Sequence, residues 1–271
     1  MTSNLQTARD RRPTRLPFRP KQTLGQNFLR DANIARKIAR SLTPPPGSPI
    51  LEIGPGLGAL TIPLLETWPD HQVIAVDIDQ RCIEFLRDRC EGIDNLTILH
   101  QDFLELDARS LGDTPITVVG NLPYHITSPV LMQLFEHRDV YHEATIMIQR
   151  EVADRIVAPP GNRSRGILSV YAQYYSRVSR LFTVAPPAFI PPPDVASAVL
   201  SVTLQHGNLS PVDDDWFRQV VRTAFQQRRK QLTNSLKALT GNRDIDGLQR
   251  RPEALTVDEF LTLATQLSVA E

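Results

Sequence analysis

Cysteine is almost missing from this 271-residue chain, with only Cys82 and Cys90 present. They stand eight positions apart in a segment of helical pattern, about 12 Å apart along the helix axis and too far to bridge. That spacing excludes a disulfide and leaves two buried thiols in a reducing cytoplasm, with no redox or metal site expected. No stretch approaches about 18 uncharged apolar residues, which excludes a membrane-spanning helix. The basic N-terminus is not followed by the apolar core of a secretory signal. Net charge is also lacking, 30 basic residues matching 30 acidic ones, and no internal repeat occurs. What remains, 41% hydrophobic and 22% charged residues, is ordinary for a globular protein with one large domain and a small one. Proline is the one excess, 22 residues, and implies stiff loops.

The neutral total hides an uneven spread. Residues 1–40 hold ten lysines and arginines against two acids, whereas residues 41–120 hold four against thirteen. The remaining two stretches nearly balance. A polyanion would meet the first block, and a cationic ligand or acid-lined cofactor site suits the second. Residues 1–20, with five arginines and three prolines and no apolar period, read as a flexible basic arm. The domain expected to follow spans 21–207.

Strand-like runs alternate with helical ones along that domain. "ILEI" (50–53), "VIAVD" (73–77), "LTILH" (96–100), "ITVVG" (116–120) and "ATIMIQ" (144–149) read as strands. Helical spacing marks 31–42, with Asp31 as cap, and stretches near 59–67, 79–90, 127–136 and 151–157. This order predicts an α/β doubly wound sheet covered on both faces. "ILSVYAQYYSRVSRLFTV" and "DVASAVLSVTL" supply a helix and two closing strands. After a composition break at "QHGNLSPVDDD", residues 208–271 are helical in period and predict a small all-α domain.

"LEIGPGLGAL" sets Gly54, Gly56 and Gly58 between a strand and a helix, where glycines allow a tight turn and close backbone approach to a ligand. Asp77 ends the next strand and can accept from ribose hydroxyls. Gly54-x-Gly56-x-x-Ala59 also satisfies the dinucleotide fingerprint, so a nicotinamide enzyme is a rival. Asp102 follows the third strand, placed to accept from an adenine amino group. With Glu52 it makes three acids at successive strand ends. Such a cleft suits a cationic sulfonium better than a pyrophosphate, which points to S-adenosylmethionine.

"VVGNLPYHI" runs from the fourth strand into Asn121-Leu122-Pro123-Tyr124. Ligands in doubly wound sheets lie beyond the carboxyl ends of strands, so these residues face the cofactor's reactive end. An adenine amino nitrogen is a poor nucleophile because its lone pair is delocalised into the ring. Two acceptors holding its N–H bonds would turn that lone pair toward a methyl donor. The Asn121 side-chain oxygen and the Leu122 carbonyl could be those acceptors, Pro123 fixing the carbonyl's direction and Tyr124 stacking on the base.

With these motifs the sequence resembles the ribosomal RNA adenine N6-dimethyltransferases, over roughly Lys21 to Leu239. "NLPY" is similar to that family's target-base motif and "EIGPGLGALT" to its glycine loop. "KQTLGQNFL" resembles its N-terminal signature, which implies cofactor contacts for Asn27 and Leu29. "FIPPPDVASAVL" resembles its post-catalytic loop, which implies that Phe189 stacks on the target base. "FQQRRKQLTNSL" is similar to a basic helix of the family, implying RNA contacts at Arg228, Arg229 and Lys230. Departures are Asp77 where the family more often has Glu, Asp194 in place of a cation, and Ala196 in place of an acid.

The resemblance implies an S-adenosylmethionine-dependent enzyme that dimethylates two adjacent adenines near the 3′ end of 16S rRNA in immature small subunits. It would act as a cytoplasmic monomer. The antibiotic-resistance methyltransferases of large-subunit RNA, and a mainly non-catalytic assembly factor, are the alternatives. Phosphate contacts are also expected from Arg9, Arg11, Arg12, Arg15, Arg19 and Lys21. An extruded adenine would lie between Tyr124 and Phe189.

Overall fold

Three strands rich in aliphatic and β-branched residues make the middle of the sheet: β2 (Ile50–Ile53), β3 (Val73–Asp77) and β5 (Ile116–Asn121). Nearly every residue in them is buried, as parallel strands covered on both faces require. In the computed structural model, which describes residues 2–11, 16–112, 114–207, 209–227, 230–241 and 245–268, they join a seven-stranded sheet. The others are β4 (Leu96–His100), β6 (Tyr141–Gln149), β7 (Ser176–Val184) and β9 (Ser197–Leu204), and the order is β4-β3-β2-β5-β6-β9-β7. Pairing is parallel from β4 to β6, and β9 runs antiparallel to β6. The expected strands recur within a few residues. A second sheet of two short strands, β1 (Phe28–Leu29) and β8 (Phe189–Ile190), is too brief to leave a periodic signal.

The helices are α1 (Thr2–Asp10), α2 (Ala32–Ala39), α3 (Thr61–Thr67), α4 (Gln80–Arg89), α5 (Thr127–Glu136), α6 (Arg150–Ile156), α7 (Ile167–Tyr175), α8 (Asp214–Phe225), α9 (Leu232–Ser235), α10 (Lys237–Thr240) and α11 (Val257–Ser268). Capping residues start several of them. Asp31 accepts from the Asn33 and Ile34 amides, and Asp213 from that of Trp216. Helix α2 turns Ala35, Ile38 and Ala39 into a core shared with Ile50, Leu64, Val73 and Val119, each buried side chain of Leu or Ile size contributing about 1.5–3 kcal/mol.

The contacts divide the chain into two compact units, and the division departs from the boundary expected at 208. One unit is Met1–Arg150 with Ser179–Leu204, the other Glu151–Val178 with Gln205–Glu271. The aromatic residues of α7 explain the difference. Tyr174 lies 4.3 Å from Phe217 of α8 between ring centroids, and the Tyr171 hydroxyl donates to the Arg218 carbonyl at 2.9 Å. The helical period of "ILSVYAQYY" is visible in the sequence, but not which partner its tyrosines choose. Phe225 of α8 and Phe260 of α11 stack in the same unit, 6.0 Å apart.

The stretch expected to be a flexible arm, residues 1–20, contains helix α1. Residues 2–10 form α1, and its Ala8 is fully buried. Asn4 donates to the Gly92 carbonyl at 2.6 Å, and Arg11 to that of Asp88 at 2.7 Å. The buried Arg89 donates from Nε to the Ala8 carbonyl at 2.8 Å and from Nη1 to the Leu57 carbonyl of the glycine loop. Composition alone could not reveal these non-local acceptors. Deleting residues 1–11 leaves the Arg89 guanidinium short of a partner, a cost of about 1–3 kcal/mol. Calorimetry is expected to show Tm lowered on the order of 2–8 °C; an unchanged Tm would mean that α1 does not dock.

Candidate active site

One cleft beyond the carboxyl ends of β2, β3 and β5 gathers most of the residues singled out in the sequence. Asn27, Leu29, Gly54, Gly56, Asp77, Asp102, Asn121, Leu122, Pro123 and Tyr124 all line it. Its empty space, counted out into the open mouth, is about 1250 Å³. Phe28 fills the space against Gly56, where a Cβ would stand 2.9 Å from its ring at a φ of +54°. Glycine is therefore required there on two counts. At Gly120 a Cβ would meet the Ile53 carbonyl at 2.8 Å, so the close approach of β5 to β2 also requires glycine just before Asn121.

The orientation of Asn121 is set from outside its own strand. Its Nδ2 donates to the Asn27 carbonyl at 2.9 Å. A carbonyl can only accept, so the amide must turn its nitrogen that way and leave Oδ1 as the free acceptor. The next residue, Leu122, is buried, and its N–H donates to the Met147 carbonyl on β6 at 3.0 Å. No described donor reaches the Leu122 carbonyl. Tyr124 is half-buried, and its hydroxyl shares a 2.9 Å hydrogen bond with Ser197 Oγ. Burial raises the phenol's pKa, the Ser197 bond opposing the rise.

The segment that carries Asn27 is anchored by residues that the sequence reading missed. Gln26 accepts from the Lys21 amide and donates to Asp79 Oδ2, both at 2.8 Å. Lys21 Nζ lies 3.2 Å from Asp79 Oδ1, and Arg81 Nη2 2.6 Å from Oδ2. Arg81, then Gln26 and Lys21, hold the Asp79 carboxyl well below the usual carboxylate range. The signal that could have found Asp79 is its place as cap of α4, two residues past Asp77.

Three acids line the cleft, and among the described residues no lysine or arginine does. Asp77 accepts from the Gly56 amide at 3.2 Å and from that of Asp79 at 2.8 Å, which ties the glycine loop to the end of β3. Burial raises the Asp77 pKa, with those amides opposing it. Asp102 accepts from the Leu104 amide at 2.9 Å. Glu52 is different: it is 1% exposed, takes one hydrogen bond from Thr61 Oγ1 at 2.6 Å, and burial pushes its pKa up to about 8. The expected negative character therefore rests on Asp77 and Asp102, with Glu52 protonated at neutral pH. An apolar platform completes the cleft, since Ile78 beside Asp77 is 52% exposed.

Phe189 is the site residue that the structure puts elsewhere. It is 2% exposed, packs in the core with Leu29, Val184 and Ala188, and does not line the cleft. Its backbone pairs with Leu29 in the two-strand sheet, two residues beyond Asn27. Arg228 and Arg229 lie outside the described residues, as do Arg12 and Arg15, while Lys230 is exposed. Arg9 stands 3.9 Å from Glu66, Arg11 and Lys21 are bonded within the protein as above, and Arg19 offers its carbonyl to Arg81.

Acids without cations fit a positively charged nucleoside and disfavour a pyrophosphate. Comparison with known proteins agrees in kind. A family model described as Ribosomal RNA adenine dimethylase matches residues 18–267. The chain is 45% identical over 262 residues to the Ribosomal RNA small subunit methyltransferase A of Salinibacter ruber, covering 93% of this chain and 86% of that one. It is 40% identical over 258 residues to the protein of that name from Bacteroides thetaiotaomicron, covering 93% and 95%. In fold it is similar to a dimethyladenosine transferase from Plasmodium falciparum, with a TM-score of 0.74, 24% identity, and 89% and 97% of the chains covered. A 23S rRNA methyltransferase, ErmE, follows at 0.70 and 25%, covering 89% and 100%.

Glu52 also makes stability depend on pH. A carboxyl whose pKa is raised from 4.5 to about 8 on folding contributes stability that is complete below 4.5 and lost as pH rises toward 8. Glu52→Gln copies the neutral form and escapes that loss. Denaturant unfolding at pH 5 to 8 is expected to show the variant gaining on the native protein with rising pH, at up to about 1.4 kcal/mol per pH unit. A pH-independent difference would mean that Glu52 is ionised throughout.

Proposed function

The chain belongs to the ribosomal RNA adenine dimethylase family, and from that premise we propose that it transfers methyl groups to N6 of two adjacent adenines near the 3′ end of 16S rRNA. The substrate of this reading is the immature small subunit, met by a cytoplasmic monomer. The observation that carries it is the pair of free acceptors, Asn121 Oδ1 and the Leu122 carbonyl, presented at the mouth of an acid-lined cleft. The much higher identity to the small-subunit enzymes than to the large-subunit one supports the choice of RNA. Family membership also removes the nicotinamide reading of the glycine loop.

S-adenosylmethionine, when bound, supplies an electrophilic methyl group on a cationic sulfur. Asp77 would accept from ribose hydroxyls while still holding the Gly56 amide, since a carboxylate has about four acceptor positions. Asp102 would accept from the adenine amino group through the oxygen not bonded to Leu104, and Ile78 would lie against the ring. Gly54 and Gly56 give the backbone room to approach the ligand, with Asn27 and Leu29 closing the cleft over it.

At the target base, Asn121 Oδ1 and the Leu122 carbonyl each take one N–H of the amino group for the first transfer, and one of them takes the single remaining N–H for the second. Its lone pair is thereby turned out of conjugation and aimed. Tyr124 offers a ring face to the base, a stack worth ~1–3 kcal/mol, and the Ser197 bond holds that ring in place. Neither acceptor is basic enough to retain a proton, so the proton on the methylated nitrogen leaves to water. The rate gain is positional, a class of effect that can reach ~7–11 kcal/mol.

The defining assay incubates the protein with S-adenosylmethionine and small subunits lacking adenine dimethylation, followed by mass spectrometry of digested 16S rRNA. Two N6,N6-dimethyladenosines near the 3′ end are expected; dimethylation of large-subunit RNA instead would move the protein to the resistance enzymes. Asn121→Ala is expected to lower kcat at least about a hundredfold, with cofactor affinity by calorimetry within a few fold of native. Unchanged turnover would mean that Asn121 does not hold the amino group.

A further inference from the structure

The fold consumes several cations of the basic N-terminal block internally, as Arg9, Arg11 and Lys21 show. Helix α2 keeps its own for the surface. Its apolar residues Ala35, Ile38 and Ala39 are buried, while Arg36, Lys37 and Arg40 lie on the opposite face and line a shallow hollow with Asn33 and Ser41. Arg36 is steadied by Asn33 Oδ1 at 2.6 Å. Lys37 Nζ sits 3.9 Å above the centre of the Phe182 ring. None of the three forms an ion pair with a described residue. No acid occurs between Ala32 and Ser41.

Residues 36 and 40 are one helical turn apart, about 5–6 Å between Cβ atoms, so like charges face each other at a cost of a few tenths of a kcal/mol. Among the described residues the stripe is thus without a paired acid, and neutral partners steady Arg36 and Lys37, which suits an anion. It also sits close in sequence to the cleft: two residues separate Leu29, which lines it, from Ala32 at the start of α2. Arg30, the first of those two, is exposed, and its amide donates to the Ala188 carbonyl at 2.7 Å beside the β1–β8 pair.

We infer that this face of α2 is a contact surface for the phosphate backbone of the RNA strand that delivers the target adenine. The inference rests on the RNA methyltransferase reading above. Arginine forks and a lysine ammonium suit phosphate oxygens, and such contacts add affinity without reading sequence. A chain of zero net charge needs its phosphate contacts concentrated, and this stripe is such a concentration.

The test compares the native chain with Arg36→Gln/Lys37→Gln/Arg40→Gln and with Arg36→Lys/Arg40→Lys, which keeps the charge. Dissociation constants for undermethylated small subunits are measured across salt concentrations. Each phosphate contact on a single strand contributes about 0.7 to the slope of log K against log salt, so the neutral variant is expected to lose about 2 from it. Its affinity near 0.1 M salt is expected to fall at least about tenfold. The lysine variant should keep the native slope, with cofactor affinity and Tm unchanged in both. A neutral variant with native slope, or one whose binding weakens at constant slope, would overturn the inference. The salt slope reads binding alone, so it stands apart from turnover: native protein that binds without methylating would overturn the proposed reaction and leave the α2 result intact.

Discussion

One hydrogen bond organises the site: Asn121 Nδ2 to the Asn27 carbonyl. An asparagine amide can present either end to a ligand, and at a strand terminus nothing in its own backbone decides which. The Asn27 carbonyl decides it, because it has no proton to give. That carbonyl is fixed in turn by the segment around it. Gln26 and Lys21 are tied to Asp79, and Leu29 pairs with Phe189 in a two-strand sheet. The Asn-Leu-Pro-Tyr turn and the segment around Asn27 are therefore one device, although 94 residues of chain separate Asn27 from Asn121.

The electrostatics of the cleft follow from the same economy. Asp77 and Asp79 differ by two positions and have opposite environments. Asp79 has two cations and Gln26 around it and stays ionised, whereas Asp77 has only backbone amides and is pushed the other way by burial. The ionised Asp79 holds structure and the less stabilised Asp77 is left for a ligand. Glu52 carries this further, a buried acid held by Thr61 whose pKa burial pushes up to about 8.

Where local pattern decides, the sequence was legible. β2, β3 and β5 declare themselves by short apolar runs because both their faces are buried, and Asp31 declares α2 by capping it. The glycine loop, Asp77, Asp102 and the Asn-Leu-Pro-Tyr turn meet because strand ends in a parallel sheet share one edge. What escaped depends on partners far along the chain. Helix α1 has few apolar residues and docks through carbonyls of Gly92 and Asp88. The tyrosines of α7 choose Phe217 over the sheet. Phe189 carries a family motif, yet its ring is enclosed in the core by Leu29 and Val184. A motif fixes which residue type stands at a position; burial fixes which of its faces a ligand can reach.

Phe189 then takes a different part in the same chemistry. Its ring is buried in one core cluster with Leu29, and its backbone pairs with Leu29. Phe189 thus packs with Leu29, two residues beyond the carbonyl that accepts from Asn121. The Tyr124 side of the cleft is fixed independently, through Ser197 on β9. Asn121 ends β5, Leu122 is bonded to β6, and Tyr124 is bonded to β9, so neighbouring strands of one sheet set the whole turn.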